Sequence, residues 1–282
     1  MSNYIQGNVY AITGGGSGLG QATALEIAKM GGKVAVMGRR LDKLQGTVDA
    51  ITELGYGDNV LAFAGDVTKF EDNAAFVKKI VEKFGKMDVF FANAGVLPAG
   101  EFARYEACLD AWTSAIDINI KGNLYGICAS YDQFKEQGYG HFVTTSSIVG
   151  DMPCAGQAVY SASKIAIRYF AHALRVENPG LIKTSIICPP SVPETELLGV
   201  GAMLTNGTRP VYGQFTNREA AMGNLMKFKA GEDPELGDPN SIKQINLKLA
   251  NMVESIMFVL NQPKGVCITE IKAHATNENL YL

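Results

Sequence analysis

A tyrosine and a lysine stand four residues apart in "QAVYSASKIAIRYF" (157–170), as Tyr160 and Lys164. On a helix that spacing puts both side chains on one face. A free phenol titrates near about pH 10 and is a poor base in neutral water, but an ammonium held beside it stabilises the phenolate and lowers that value. The pair is therefore a candidate proton carrier with the cation that tunes it. The same spacing also arises on an ordinary amphipathic helix, and the pair alone leaves both readings open. Upstream, "TTSSIVG" supplies Ser146 and Ser147 at the end of an apolar run. A hydroxyl there can hold a substrate oxygen while a phenol exchanges its proton, and Ser147 and Ser146 compete for that part.

A second constellation lies near the N-terminus. "AITGGGSGLGQATALEIA" puts glycines just after an apolar, strand-like run and at the mouth of a helical pattern, where main-chain N–H groups and the helix dipole favour a phosphate. The spacing is T-G-x-x-x-G-x-G, carried by Thr13, Gly14, Gly18 and Gly20, and not the plain G-x-G-x-x-G. Gly14 permits the turn, Gly18 lets a pyrophosphate approach the backbone, and Gly20 lets the helix pack closely on the sheet. Glycines alone are also what a flexible turn contains.

These groups need a frame. Short apolar, β-branched runs ("NVYAIT", "KVAVMG", "VLAFAGDV", "MDVFFANAG", "GHFVTTSS", "IKTSIICPP") alternate with helical patterns over 18–30, 41–54, 71–84, 105–135 and 157–176. That alternation predicts fold class α/β: a doubly wound parallel sheet with helices on both faces, three layers α/β/α, in a single domain spanning 1–282. The stretch 191–240 collects Pro, Gly, Asn and scattered Met and aromatics and is too long for a mere connection, so it reads as a substrate lid or loop. After it, 241–261 reads as a helix and "GVCITEI" as a last strand.

Composition narrows the partners. A charged fraction of 19% and a formal net charge of −3 give no electrostatic reason to expect nucleic acid or an anionic membrane. No apolar run is long enough to span a bilayer, and the first residues lack a signal-peptide pattern. Five cysteines without a CxxC pair suggest neither a disulfide framework nor zinc and point to reduced thiols in the cytoplasm. The histidines His141, His172 and His274 fit no ligand spacing, so no metal is expected. The closing "ENLYL" faintly resembles a protease site of expression tags or is a native tail.

From about residue 7 to 193, and weakly again over 241–271, the chain resembles the classical short-chain dehydrogenase/reductase family. The resemblance rests on motifs in the right order: "TGGGSGLG", Asp66 in "GDV", "NAG" at 93–95, Asn119, Ser147 and "YSASK" at 160–164. It implies a Rossmann-type fold and an NAD(P)-dependent alcohol dehydrogenase or carbonyl reductase. Its implied catalytic residues are Asn119, Ser147, Tyr160 and Lys164, with Asn119 carrying a proton-relay water near the lysine. Its implied coenzyme contacts are Gly14, Ser17, Gly18, Leu19, Gly20, Asp66, Val67, Asn93, Ala94, Gly95, Tyr160, Lys164, Pro189 and Val192, the last through its backbone. The end of the second strand, "VAVMGRRLDKL", has Gly38 where an acid would exclude a 2′-phosphate, followed by Arg39 and Arg40. NADP(H) is therefore expected over NAD(H), with Arg39 the principal contact.

The family usually has Pro-Gly and then a threonine after the sixth strand, whereas this chain has "CPPSVPETELL". Pro190 stiffens the turn and Glu194 stands where threonine is commonest, so no role is carried over to Thr195. The substrate expected is small to medium and largely apolar, against a wall of Val149, Met152, Pro153 and Gln157 with the 196–215 loop. The resemblance also implies a homotetramer or homodimer built on the helices around 105–130 and 157–176. Two other readings remain: a dinucleotide-binding regulator without turnover, which would not need the Asn-Ser-Tyr-Lys set, and an extended-branch epimerase or dehydratase, which calls for a different glycine spacing.

Overall fold

Runs such as Val9–Thr13 and Lys33–Gly38 are apolar almost throughout because helices cover both faces of the sheet they enter. The computed structural model describes residues 2–151, 154, 156–199, 227 and 230–278. In chain order the elements are β1 (Val9–Thr13), α1 (Gly18–Lys29), β2 (Lys33–Gly38), α2 (Leu41–Glu53), β3 (Val60–Ala64), α3 (Phe70–Phe84) and β4 (Val89–Ala92). Then follow α4 (Tyr105–Ile116), α5 (Gly122–Gln137), β5 (Gly140–Thr145), α6 (Ala158–Glu177), β6 (Ile182–Cys188), α7 (Glu196–Gly199), α8 (Leu249–Leu260) and β7 (Glu270–Lys272).

The seven strands form one sheet in the order β3-β2-β1-β4-β5-β6-β7, every pair parallel. Strand side chains alternate between its faces. Tyr10, Ile12, Val34 and Val36 meet Ala24 and Ile27 of α1, Leu44 and Ile51 of α2, and Met252 and Ile256 of α8. Val9, Ala11, Ala35, Met37, Phe90 and Phe142 meet Phe76, Val77 and Ile80 of α3 and Phe134 of α5. Each fully buried side chain of this size contributes about 1.5–3 kcal/mol. The three-layer architecture is thus the one the alternating pattern predicts.

The winding direction reverses between β1 and β4, which are paired although α1, β2, α2, β3 and α3 separate them in the chain. Such a switch point opens a crevice beyond the carboxyl ends of the two strands. The Gly14 turn leaves β1 there, and Asn93–Gly95 leaves β4 beside it.

Three boundaries differ from the sequence reading. The helix expected over 241–261 begins only at Leu249, whose N–H is taken by the Glu194 carboxylate; residues 241–248 form turns instead, with Gln244 N–H on Ser241 O. The last strand is three residues long. The 105–135 helical stretch is interrupted by a π-helical turn at Asp117–Lys121. Most of the proposed lid, 200–226, lies outside the described residues, as do Met152 and Pro153 of the expected pocket wall.

Candidate active site

The long helix α6 buries Tyr160, Ser163, Lys164, Ile167, Ala171 and Leu174, a stripe at three- and four-residue spacing. Tyr160 and Lys164 therefore lie on its core-facing side, and each is only 4% exposed. A buried polar end group must find a partner there. Lys164 Nζ donates to the carbonyl of Thr145, the last residue of β5, at 2.7 Å, and stands 5.5 Å from the centre of the Tyr160 ring. The Ser147 hydroxyl lies close enough to the phenol to act on its proton equilibrium.

Ser147 ends the strand run as the N-cap of a short 3₁₀ turn, Ile148–Gly150. Its other contacts are loose, to Pro189 O and from Val149 N–H, both at 3.4 Å. Ser146 behaves differently: its hydroxyl donates to Lys164 O at 2.8 Å. Ser146 thus ties α6 to the end of β5, while Ser147 faces the phenol.

The electrostatics depart from the sequence expectation. Burial pushes the Tyr160 phenol up to about 12, against a smaller lowering by the Ser147 hydroxyl. Burial likewise pulls Lys164 down to about 8, partly opposed by the nearby Cys188. The expected lowering of the phenol by the ammonium is not found: desolvation sets its pKa in this buried site, and what opposes it is the Ser147 hydroxyl. At neutral pH the phenol holds its proton and most Lys164 side chains are still charged.

Asn119 sits in the π turn, a kind of local irregularity that recurs at functional sites. Its amide is fully committed: Oδ1 accepts from Val96 N–H at 2.9 Å, and Nδ2 donates to Val96 O at 2.9 Å and to Ser163 Oγ at 3.0 Å. A Cβ on Gly95 would stand 3.3 Å from both Asn119 Oδ1 and Lys164 Nζ, so that glycine keeps the space in front of them open.

At the switch point the glycine turn fits a dinucleotide phosphate. Gly14 and Gly18 have φ of +68° and +53°, the left-handed region that favours glycine. A Cβ on Gly20 would fall 2.4 Å from Gly14 O and 2.7 Å from Asn93 Nδ2, so only glycine lets α1 approach this closely. Ser17, the N-cap of α1, makes no capping side-chain bond, and the first turn, with Gly18, Leu19 and Gly20, carries no acid. The positive end of the helix can take an anion, and among the described residues the Glu196 carboxylate lies near its Ser17 hydroxyl.

The remaining expected contacts divide. Asn93 has its side chain engaged in the protein, accepting from Thr145 Oγ1 at 3.1 Å and donating to Thr13 O at 3.2 Å, so it ties the ends of β1, β4 and β5 together. The Thr13 hydroxyl accepts from both Asn93 N–H and Ala94 N–H at 3.1 Å. The Val67 side chain is in the core against Gly122. Burial would raise the Asp66 pKa, but hydrogen bonds from Thr68, helped by Arg39 and Lys69, hold it below its usual value. Pro189 O accepts from Ile148 N–H at 3.2 Å, and Val192 is buried, with its carbonyl taken by Thr195 N–H and Oγ1. Arg39 and Arg40 are both exposed at the end of β2, and Arg40 pairs with Glu196 at 2.7 Å.

Several residues that the sequence reading passed over belong to the site. Thr145 and Ser163 anchor Lys164 and Asn119, Thr195 packs over Gly18 (3.5 Å from a Cβ there), and Leu197 packs against the cluster of Leu97, Ala99, Val149 and Tyr160. Thr145 was legible only as the residue beside the two serines; the others carry no local signal. Among the described residues no cluster of His, Cys, Asp and Glu could hold a metal ion, and no helix is long and apolar enough to cross a membrane.

Residues 8–200 match the family model described as short chain dehydrogenase. The chain is 32% identical over 277 residues to an uncharacterised oxidoreductase of Listeria innocua, covering 97% of this chain and 98% of that one. Its fold is similar to that of an alcohol dehydrogenase from the archaeon Thermococcus sibiricus complexed with 5-hydroxy-NADP (TM-score 0.72, 24% identity, 96% of this chain and 97% of that one). It is also similar to that of a 3-ketoacyl-(acyl-carrier-protein) reductase from Brucella melitensis complexed with NADH (TM-score 0.75, 24% identity, 97% and 99%). With the parallel sheet, the glycine turn and the Ser-Tyr-Lys cluster, the match over most of its length makes this chain a member of the classical short-chain dehydrogenase/reductase family.

Proposed function

We propose that this oxidoreductase uses NADP(H) to interconvert a ketone and a secondary alcohol on a small to medium, largely apolar substrate. The observation that carries the reading is the buried meeting of Tyr160, Ser147 and Lys164 beside the crevice into which the glycine turn opens. When bound, a reduced nicotinamide supplies the hydride for the carbonyl carbon. Tyr160, which burial keeps protonated at neutral pH, donates its proton to the carbonyl oxygen as the hydride reaches the carbon. Ser147, whose protein bonds are long, turns its hydroxyl to the same oxygen. Lys164 reprotonates the phenol. Asn119 supports the relay through its main chain, since its amide is committed elsewhere.

Arg39 supports the coenzyme preference. It forms no ion pair among the described residues, stands next to Gly38 where an acid would repel a 2′-phosphate, and carries a charge that Asp66 feels. A bound coenzyme would have its pyrophosphate held by Gly14, Ser17, Gly18, Leu19 and Gly20, with Asp66 and Val67 on its adenine side and the backbones of Pro189 and Val192 on its carboxamide side. Leu97, Ala99, Val149 and Leu197 give the substrate side its apolar character, with Gln157 Oε1 as a buried acceptor that has no partner among the described residues. The exposed Phe102, Tyr105, Leu109 and Ile116 around α4 and Tyr169 and Val176 on α6 support a homodimer or homotetramer.

The test is a panel of ketones and secondary alcohols followed by nicotinamide absorbance with each coenzyme, with Tyr160→Phe run beside the parent. The reading expects turnover with NADPH above that with NADH and its loss in Tyr160→Phe with coenzyme binding retained. Coenzyme binding without turnover of any substrate would leave a regulator in its place.

A further inference from the structure

Glu196 opens the short helix α7, and its carboxylate reaches the beginning of α2 beside the glycine turn. Arg40 Nη2 lies 2.7 Å from one of its oxygens and Lys43 Nζ 3.7 Å from the other. The Ser17 hydroxyl also lies near it. A guanidinium, an ammonium and a hydroxyl converging on two carboxylate oxygens form the donor set that suits a phosphate. The groups come from the ends of β2 and β1, where the ribose of a dinucleotide meets this fold. The flanking residues fix Glu196 in place: Thr195 packs over Gly18, and Leu197 packs on the cluster that contains Tyr160. Its segment thus crosses the crevice from the glycine turn to the proposed proton donor.

We propose that Glu196 is a specificity-determining residue, an internal anion that competes with the 2′-phosphate of NADP(H) for Arg40 and Lys43. The inference rests on the reading of this crevice as the coenzyme groove. With Glu196 in place, two cations face one carboxylate, and a 2′-phosphate must displace it to gain Arg40. NAD(H) carries no group that competes for these cations. Glu196 therefore narrows the discrimination that Gly38, Arg39 and Arg40 would otherwise give, and lets the protein retain affinity for both coenzymes. Both partners of the Arg40 pair are half-exposed, with side-chain accessibilities of 53% and 40%, so the competition is modest and weakened by salt.

The test measures binding of NADP⁺, NAD⁺, 2′,5′-ADP and 5′-AMP by calorimetry to the parent, Glu196→Gln, Arg40→Met and the double variant, in low and high salt. Glu196→Gln should tighten NADP⁺ and 2′,5′-ADP about two- to fivefold and change NAD⁺ and 5′-AMP much less, with the gain shrinking in high salt. The selective gain should vanish when Arg40 is already Met. An unchanged NADP⁺-to-NAD⁺ ratio, or equal tightening of all four ligands, overturns the proposal. A parent that binds NAD⁺ more tightly than NADP⁺ instead refutes the coenzyme preference proposed above, and the response to Glu196→Gln still decides this inference on its own.

Discussion

Lys164→Met isolates the cost of keeping a charged amine inside the protein. Burial lowers the Lys164 pKa from 10.5 to about 8, whereas the unfolded chain leaves it near its ordinary value. Between those two values the unfolded state binds more protons than the folded one, so the contribution of this lysine to stability rises with pH across that window. The shift corresponds to a penalty of about 3 kcal/mol at pH 7, falling to about 1 kcal/mol at pH 10. Methionine has similar length and no charge, and so removes the penalty, but it leaves Thr145 O without its 2.7 Å donor, at a cost of about 1–3 kcal/mol. The variant should therefore equal or exceed the parent in stability at pH 7 and fall behind it by about 2 kcal/mol relative to that starting point at pH 10. Guanidinium unfolding at several pH values reads this directly, with Trp112, the one tryptophan, buried in α4 as the probe. A parent-minus-variant difference that stays flat from pH 7 to 10 would refute the claim that the ammonium is desolvated. Loss of turnover in a variant at least as stable as its parent would make the lysine a group kept for chemistry at the expense of stability.

Four further substitutions probe the site and the fold around it. Gly20→Ala places a methyl 2.4 Å from Gly14 O, so the glycine turn must move: stability should fall by about 1–3 kcal/mol and coenzyme affinity by about tenfold or more, and unchanged affinity in equilibrium titration would remove this turn from the coenzyme site. Ser147→Ala should lower turnover by about 100-fold with little loss of stability, while Ser146→Ala, which breaks the bond to Lys164 O, should cost about 1 kcal/mol of stability with a smaller kinetic effect; the opposite pattern in kinetics and unfolding would exchange their roles. Glu278 is pushed up to about 7 by burial, against hydrogen bonds from the Ser191 and Ala275 backbones, with His274 Nδ1 at 3.6 Å. The stability it contributes when protonated is lost as pH rises from about 4.5 through 7. Glu278→Gln should therefore gain on the parent by up to about 3 kcal/mol between pH 5 and 8, and parallel unfolding curves at the two pH values would count against a buried carboxyl.

The sequence determined what is periodic or local. Alternating apolar runs and helical patterns set a parallel sheet covered on both faces, because a strand with no polar side has to be buried twice. The glycine spacing after β1 and the i, i+4 spacing of Tyr160 and Lys164 are also local, and the helix and turn they imply are the ones the chain forms. What only the tertiary structure decided are partnerships made across the sheet. Asn93 holds the ends of β1 and β5, Asn119 spends its amide on Val96 and Ser163, Lys164 is anchored by Thr145, and Glu194 caps the N-terminus of α8 and so shortens the helix expected from residue 241. Arg40 acquires Glu196, 156 residues away. Such pairs have no spacing rule, since their distance is set by how the strands are ordered and the helices packed. Burial, likewise a property of the finished fold, is what turned the expected lowering of the Tyr160 pKa into a rise.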